Sequence, residues 1–240
     1  MIAALDKISL DIQGAAVTAI LGPSGCGKTT LLNILAGLDS ADAGSILMDG
    51  KSVDYSTLRF GYVFQTPSLI PWRNVLQNAV LGIEVRGKPR KIRELEAEKW
   101  LHKYGLADFV KHYPNSLSIG MQQRVSIIRA VVFGADILLL DEPFRGLDYG
   151  IKGEIEKDIS SLVEQEALTA VLVTHDIEEA VMLADRIYVL SERPGKIIAS
   201  YEVATPRQAR RDPGSLSKEV SSLVQRIWAD LRIKYGSAAV

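Results

Sequence analysis

The chain has 240 residues, 47% of them apolar, and a formal net charge of −1. That length suits one large α/β domain, and the near-neutral charge without a long Lys/Arg block speaks against nucleic acid as the main partner. No apolar run approaches the roughly 18 residues that span a bilayer, and the N-terminus lacks the basic-then-apolar pattern of a signal peptide. The single cysteine, Cys26, cannot close an internal disulfide, which points to a reducing cytosol.

Residues 8–12 (ISLDI) alternate as a half-buried strand does, and Gly14 breaks the pattern. Residues 16–21 (AVTAIL) form a short apolar run suited to a buried strand. Next comes Gly22-Pro23-Ser24-Gly25-Cys26-Gly27-Lys28-Thr29, which fits G-x-x-x-x-G-K-[ST], the P-loop or Walker A pattern. Behind it, Leu31, Leu32, Ile34, Leu35 and Leu38 fall on one helical face. A Gly-rich turn can be merely structural, but strand, loop and helix in this order is the context the motif requires. The glycines let backbone N–H groups close on phosphate oxygens, and the helix N-terminus turns its positive dipole end to the same anion. Lys28 adds a point charge over the β- and γ-phosphates, Thr29 offers a hydroxyl to Mg²⁺, and Thr30 joins them among the nucleotide-binding candidates. Cys26 reads as a small residue that fits the loop rather than as a nucleophile.

Residues 45–48 and 61–64 read as short strands with an Asp49-Gly50 turn between them. After Gln65, Pro67, Pro71 and Trp72 make a loop. Helical stretches follow at about 74–85 and 91–104, separated by Gly-Lys-Pro at 87–89, and a third at 118–132 opens at an N-cap near Ser118. His102 and His112 have no partner pattern. The α/β texture then returns: strand 137–140, helix 154–163, strand 170–173, helix 177–183, strand 186–190, and a final strand 196–203 after the Pro194-Gly195 turn. Strands alternating with helices imply a mainly parallel sheet with a helical block inserted at 66–134. Residues 205–215 read as a basic, Pro-containing linker. Val220, Leu223, Val224, Ile227, Trp228 and Leu231 then form an apolar stripe whose expected use is packing on the chain's own body.

The apolar strand 137–140 runs into Asp141 and Glu142. A buried strand places such carboxylates at its C-terminal tip, where α/β sheets gather ligands. Asp141 can hold Mg²⁺ opposite Thr29, and Glu142 can orient an attacking water or take its proton. His175 follows another strand and can donate a hydrogen bond to a γ-phosphate.

The order of these motifs resembles the nucleotide-binding domain of an ATP-binding cassette (ABC) transporter over about residues 5–200. It runs from the Walker A loop through Gln65, Leu117-Ser118-Ile119-Gly120-Met121, Asp141-Glu142-Pro143 and Gly146-Leu147-Asp148 to His175-Asp176. The Leu-Ser-x-Gly signature is its most discriminating element. The resemblance implies an α/β P-loop NTPase fold: a mainly parallel central sheet, an antiparallel β portion near the N-terminus, and an inserted helical subdomain. It divides the chain into a catalytic core (1–65 and 135–204), the helical subdomain (66–134), and a linker with a C-terminal helix (205–240). It implies ATP and Mg²⁺ as ligands. Gln65 would touch Mg²⁺ and water, Glu142 would be the catalytic glutamate, and His175 the switch histidine. Ser118 and Gly120 would bind the γ-phosphate of ATP held by a second copy, and Asp148 would cross the dimer interface. The partners implied are that second copy, an integral membrane permease, and indirectly a solute-binding protein. Its place would be peripheral, on the cytoplasmic face of the membrane.

Leu69-Ile70-Pro71-Trp72-Arg73-Asn74-Val75 and Ser191-Glu192-Arg193-Pro194-Gly195-Lys196 are similar to ATPases of nitrate, sulfonate, taurine and bicarbonate importers. The alternatives are a non-transport ABC-type ATPase and a nucleotide-binding regulatory module impaired in hydrolysis. The chain departs from the family pattern at three places. Ile119 replaces a glycine, which strains the signature if that position needs φ > 0 and is tolerated if it is helical. Arg145 stands where a small residue is usual. No aromatic precedes Tyr55, so either the assigned start lies downstream of the true one or adenine is held without a stacking platform.

Overall fold

A computed structural model describes residues 3–210 and 218–235. From the N-terminus the elements are β1 (Val17–Leu21), α1 (Lys28–Leu35), β2 (Leu47–Met48), β3 (Lys51–Ser52) and β4 (Phe60–Val63). A helical stretch follows, with α2 (Val75–Ala79), α3 (Leu81–Val85), α4 (Arg90–Lys103) and α5 (Ile119–Phe133). The rest comprises β5 (Ile137–Asp141), α6 (Tyr149–Gln165), β6 (Thr169–Thr174), α7 (Ile177–Leu183), β7 (Arg186–Leu190), β8 (Ile197–Glu202), α8 (Arg207–Arg210) and α9 (Lys218–Tyr235).

Two compact units divide these elements: Met1–Val53 with Thr169–Val240, and Asp54–Leu168. In the first unit β1 lies between β6 and β7, parallel to both, while β8 adds antiparallel to β7. All five β1 residues are buried, as a strand flanked on both sides and covered on both faces requires. In the second unit β4 pairs parallel with β5. The α/β fold with a mainly parallel sheet therefore stands as the sequence implied. The antiparallel portion is the two-stranded ribbon β2–β3. Its turn is Asp49-Gly50, both at positive φ (52° and 77°), the geometry that suits a two-residue hairpin. That turn thus closes β2 on β3 rather than linking β2 to β4.

Three expected elements change. Residues 8–12 are not a strand, although Ile8, Leu10 and Ile12 are half-buried in the expected alternation. The segment is tied through a side chain: the Asp11 N–H donates to the Tyr188 hydroxyl at 3.0 Å, so the periodicity holds without a strand there. The expected helix 74–85 breaks at Val80, which ends α2 and begins α3. Residues 205–210 are packed rather than a free linker; residues 211–215 of that expected linker lie outside the described residues. Arg210, 2% exposed, donates to the carbonyls of Thr205 (2.6 Å), Val181 (3.0 Å), Ala184 (2.7 Å) and Val203 (3.1 Å). Arg207 pairs with Asp185 at 2.9 Å, and the same carboxylate accepts the Val17 N–H at 2.8 Å, tying α8 to the start of β1. The stripe on α9 buries Val220 and Ile227 within its own unit, near α7, and leaves Trp228 53% exposed.

Replacing Asp185 with Ala removes the acceptor shared by the buried Arg207 guanidinium and the Val17 strand-end N–H, and the nearby negative charge from the buried Arg210. Stability should fall by about 2–4 kcal/mol, below the range for a fully buried pair because Asp185 is partly exposed. Urea unfolding measures it, and a midpoint equal to the parent's would show that the cluster contributes nothing.

Candidate functional site

In the first unit the phosphate loop leaves β1 at Leu21 and enters α1 at Lys28. Gly27 is the N-cap of α1 at φ +105°, with no side chain capping the first turn and no acidic residue in it. The helix therefore offers open N–H groups and its positive end to an anion. Gly25 takes φ +79° with open space around its Cβ position, so the loop presents backbone alone there. Lys28 is 5% exposed, and its Nζ donates to the Gly22 and Pro23 carbonyls, both at 2.8 Å. Two of its three donors thus hold the ammonium over the loop, and the third can meet a phosphate. Thr29 and Ser24 are exposed, Thr30 and Pro23 half-buried, and Gly22 and Cys26 buried. Burial pushes the Cys26 thiol above its ordinary range, which fits a residue that fills space rather than one that reacts.

His175 belongs to the same unit. Pairing of β1 with β6 sets Leu21 beside Thr174, and the Gly22 N–H donates to the Thr174 carbonyl at 3.3 Å. The Asp176 N–H donates to Thr174 Oγ1 at 3.0 Å, and Asp176 caps α7 through the Glu178 N–H at 2.8 Å. His175 is held exposed between a strand end and a capped helix.

The second unit carries the carboxylates. Pairing of β4 with β5 sets Val63 beside Leu140, so the residues after both strands leave on the same edge. Tyr62 donates from its hydroxyl to Asp141 Oδ2 at 3.4 Å, and burial first, then Asp141, raises its phenol well above its usual range. Glu142 sits at φ +45°, a left-handed conformation that costs a side-chain-bearing residue on the order of 1–3 kcal/mol and concentrates at functional sites. The Arg145 Nη1 lies 3.4 Å from Glu142 Oε2. With its amide oxygen turned to the guanidinium, the orientation its neighbours require, Gln65 accepts from Arg145 Nε at 2.8 Å and also from Nη1. Gln65 and Glu142 are thereby joined through one cation.

Ser118 is the N-cap of α5, its Oγ accepting the Met121 N–H at 3.2 Å. Asp148 caps α6 in the same way, accepting the Ile151 N–H at 3.0 Å. Ile119 begins α5 without a positive φ and is 55% exposed, so the departure there alters the surface and leaves the backbone unstrained. Gly120 is needed for close packing: a Cβ on it would lie 2.3 Å from Ile151 Cγ2.

Sequence reasoning missed two contributors. A Cβ on Gly195 would lie 2.3 Å from the Cys26 carbonyl oxygen, and one on Gly27 would lie 2.7 Å from Leu5 Cδ2. Leu5 and Gly195 bridge each other, with the Asp6 N–H donating to the Gly195 carbonyl at 2.9 Å, so both segments wall the phosphate loop. Tyr62 was the other omission. Gly195 lies in the Ser191–Lys196 motif, but nothing in that motif says the segment walls the phosphate loop, and Tyr62 carries no motif at all.

The exposed Thr29 hydroxyl and the Asp141 carboxylate are hard oxygen donors. Each by itself is a donor of the chemistry that Mg²⁺ prefers, an ion that usually takes one or two carboxylates together with substrate phosphates rather than an all-protein cage.

A buried strand delivering a glycine-rich loop into an uncapped helix defines a P-loop protein that binds nucleoside triphosphates. More closely, the chain belongs to the ABC transporter family, whose profile matches residues 5–145. It is an ATPase of that family. It is 43% identical over 206 residues to an uncharacterized ABC transporter ATP-binding protein of Methanocaldococcus jannaschii, covering 85% of this chain and 77% of that one. To the taurine import ATP-binding protein TauB of Rhizobium johnstonii it is 40% identical over 200 residues, 83% of this chain and 76% of that one. Among solved structures it is similar to the dimeric post-hydrolysis state of the ATP-binding cassette MJ0796 bound to ADP and Pi. The TM-score is 0.73 at 31% identity, with 85% of this chain and 92% of that one covered.

Gly195→Ala, remote from the loop in sequence, should weaken ATP binding about tenfold, since its Cβ meets loop backbone that has to move. Nucleotide titration reads this directly, and parental affinity would exclude the wall from shaping the cradle. Gly120→Ala should cost about 1–3 kcal/mol by overpacking, and adding Ile151→Ala should restore part of it. Equal unfolding midpoints for the single and double variants would place the cost elsewhere.

Proposed function

We propose that the chain is the ATP-hydrolysing subunit of a bacterial ABC importer for a small anion of the nitrate, sulfonate or taurine type. The observation that carries this reading is the 40% identity, across 83% of the chain, to a taurine import ATP-binding protein. Further support comes from the loop after Gln65. Asn78, fully buried, accepts the Ile70 N–H at 2.7 Å and donates to the Ile70 and Arg73 carbonyls. Arg129 donates to the carbonyls of Ser68 (3.0 Å) and Pro67 (3.3 Å). Trp72 stays 76% exposed on this braced loop, a rigid aromatic of the kind that anchors protein contacts.

In the proposed reaction the loop N–H groups of residues 24–27, Lys28 and the start of α1 hold the β- and γ-phosphates, with Gly22 and Pro23 shaping the loop and Thr30 beside them. Thr29, Asp141 and Gln65 would hold Mg²⁺, which when bound supplies charge neutralisation on the phosphoryl oxygens. Glu142 orients the attacking water and accepts its proton. His175 donates to the γ-phosphate. Ser118 and Gly120 cover the γ-phosphate of ATP bound by a second copy, and Asp148 reaches across that interface. The core of 1–65 and 135–204 performs hydrolysis. The helical subdomain, 66–134, docks on an integral membrane permease at the cytoplasmic face. A solute-binding protein delivers cargo to the permease.

Glu142→Gln should slow phosphate release by about 10²–10⁴-fold while ATP still binds. An undiminished rate would remove Glu142 from the chemistry. Import is tested by reconstituting the chain with its permease in vesicles: ATP should drive sulfonate or nitrate into the compartment that holds the ATPase, and transport in the opposite sense would overturn the direction.

A further inference from the structure

We propose that Arg145 is a positioning residue that brakes hydrolysis, occupying in the resting chain both the Gln65 amide oxygen and the Glu142 carboxylate. The inference rests on the roles proposed above for those two residues.

The turn that carries Arg145 is anchored from below. Pro143 and Phe144 are buried, Phe144 at 2% exposure, and the Arg145 N–H donates to the Glu142 carbonyl at 3.2 Å. The backbone therefore folds the guanidinium back over the residue three positions earlier. One edge of the fork reaches Glu142 Oε2 at 3.4 Å, while Nε meets the Gln65 oxygen at 2.8 Å. A planar guanidinium can span two acceptors at once; an ammonium cannot do so with fixed geometry.

The two acceptors are the oxygens that hydrolysis needs. The Gln65 oxygen is the one proposed to face Mg²⁺, and the Glu142 lone pairs are those proposed to take the proton of water. A cation that fills both competes with metal and water together. The burial asymmetry makes the contact releasable from one side. The Glu142 side chain is 14% exposed and stays in place, whereas that of Arg145 is 62% exposed and can swing into solvent, where water solvates its charge. Had Arg145 instead been an arginine finger, its donors would be aimed at transferring phosphate; here they are engaged by its own chain.

The test is Arg145→Ser, with two readouts. Steady-state phosphate release should rise about two- to fivefold, the scale of an exposed charge-assisted contact, and half-maximal rate should need less Mg²⁺. The second readout needs no turnover. In a Glu142→Gln background, calorimetry of ATP binding with and without Mg²⁺ should show Arg145→Ser strengthening the Mg²⁺-dependent part about two- to fivefold and leaving metal-free binding unchanged. A rate that is unchanged or lower, or a gain in affinity independent of Mg²⁺, would overturn the brake. If Glu142→Gln alone hydrolyses at the parental rate, the reading of Glu142 fails and the brake with it. If that variant is inactive and Arg145→Ser is no faster than the parent, only the brake fails.

Discussion

Parallel pairing puts strand ends with the same direction on the same edge, and the placement of the candidate groups follows from it. In the first unit, Leu21 lies beside both Thr174 and Val189. The phosphate loop, His175 and the turn preceding β8 therefore emerge together, although more than 160 positions separate the loop from the turn in sequence. In the second unit, Val63 beside Leu140 does the same for Gln65 and the Asp141-Glu142 pair. An antiparallel partner would have sent those residues to opposite ends. Buried parallel strands also explain the composition of β1, β5 and β6, which are apolar on both faces because both are covered.

Close approach is the second theme. Gly27 and Gly195 serve the cradle partly by what they lack, a Cβ that would strike Leu5 or the Cys26 carbonyl. Gly120 plays the same part where the start of α5 meets Ile151. Such glycines have a packing reason beside any ligand reason, and only the structure separates the two. At Gly27 both coincide, since its φ of +105° also starts α1 with open N–H groups.

Charge is handled differently in the two units. Around Asp185 the guanidinium groups of Arg207 and Arg210 are buried, and Arg207 pairs with the carboxylate at 2.9 Å, the mark of a structural tie. Around Glu142 the cation comes from the solvent side and bridges two side chains of proposed catalytic roles. Burial of the cation is the distinguishing quantity: a buried ion pair is costly to open, whereas an exposed one exchanges with solvent at little cost.

The phosphate loop, the α5 cap at Ser118, the acidic pair at the end of β5 and His175 were all legible in the sequence, because each depends on residue type at fixed local spacing. Strand and helix positions were legible wherever burial was strong, as α7 and β7 illustrate. Local pattern failed where a partner decides the outcome. Residues 8–12 alternate correctly, yet a strand needs a ladder. Asp49-Gly50 is a turn by composition, but only pairing says which strands it joins. Residues 205–210 read as part of a basic linker, yet Asp185 and four backbone carbonyls pack Arg207 and Arg210 against the body. By itself the sequence determined the class of chemistry, since phosphate binding needs certain groups in certain short orders. Tertiary structure alone decided that Leu5 and Gly195 wall the cradle and that Arg145 joins Gln65 to Glu142, because those contacts arise between segments that no local spacing relates.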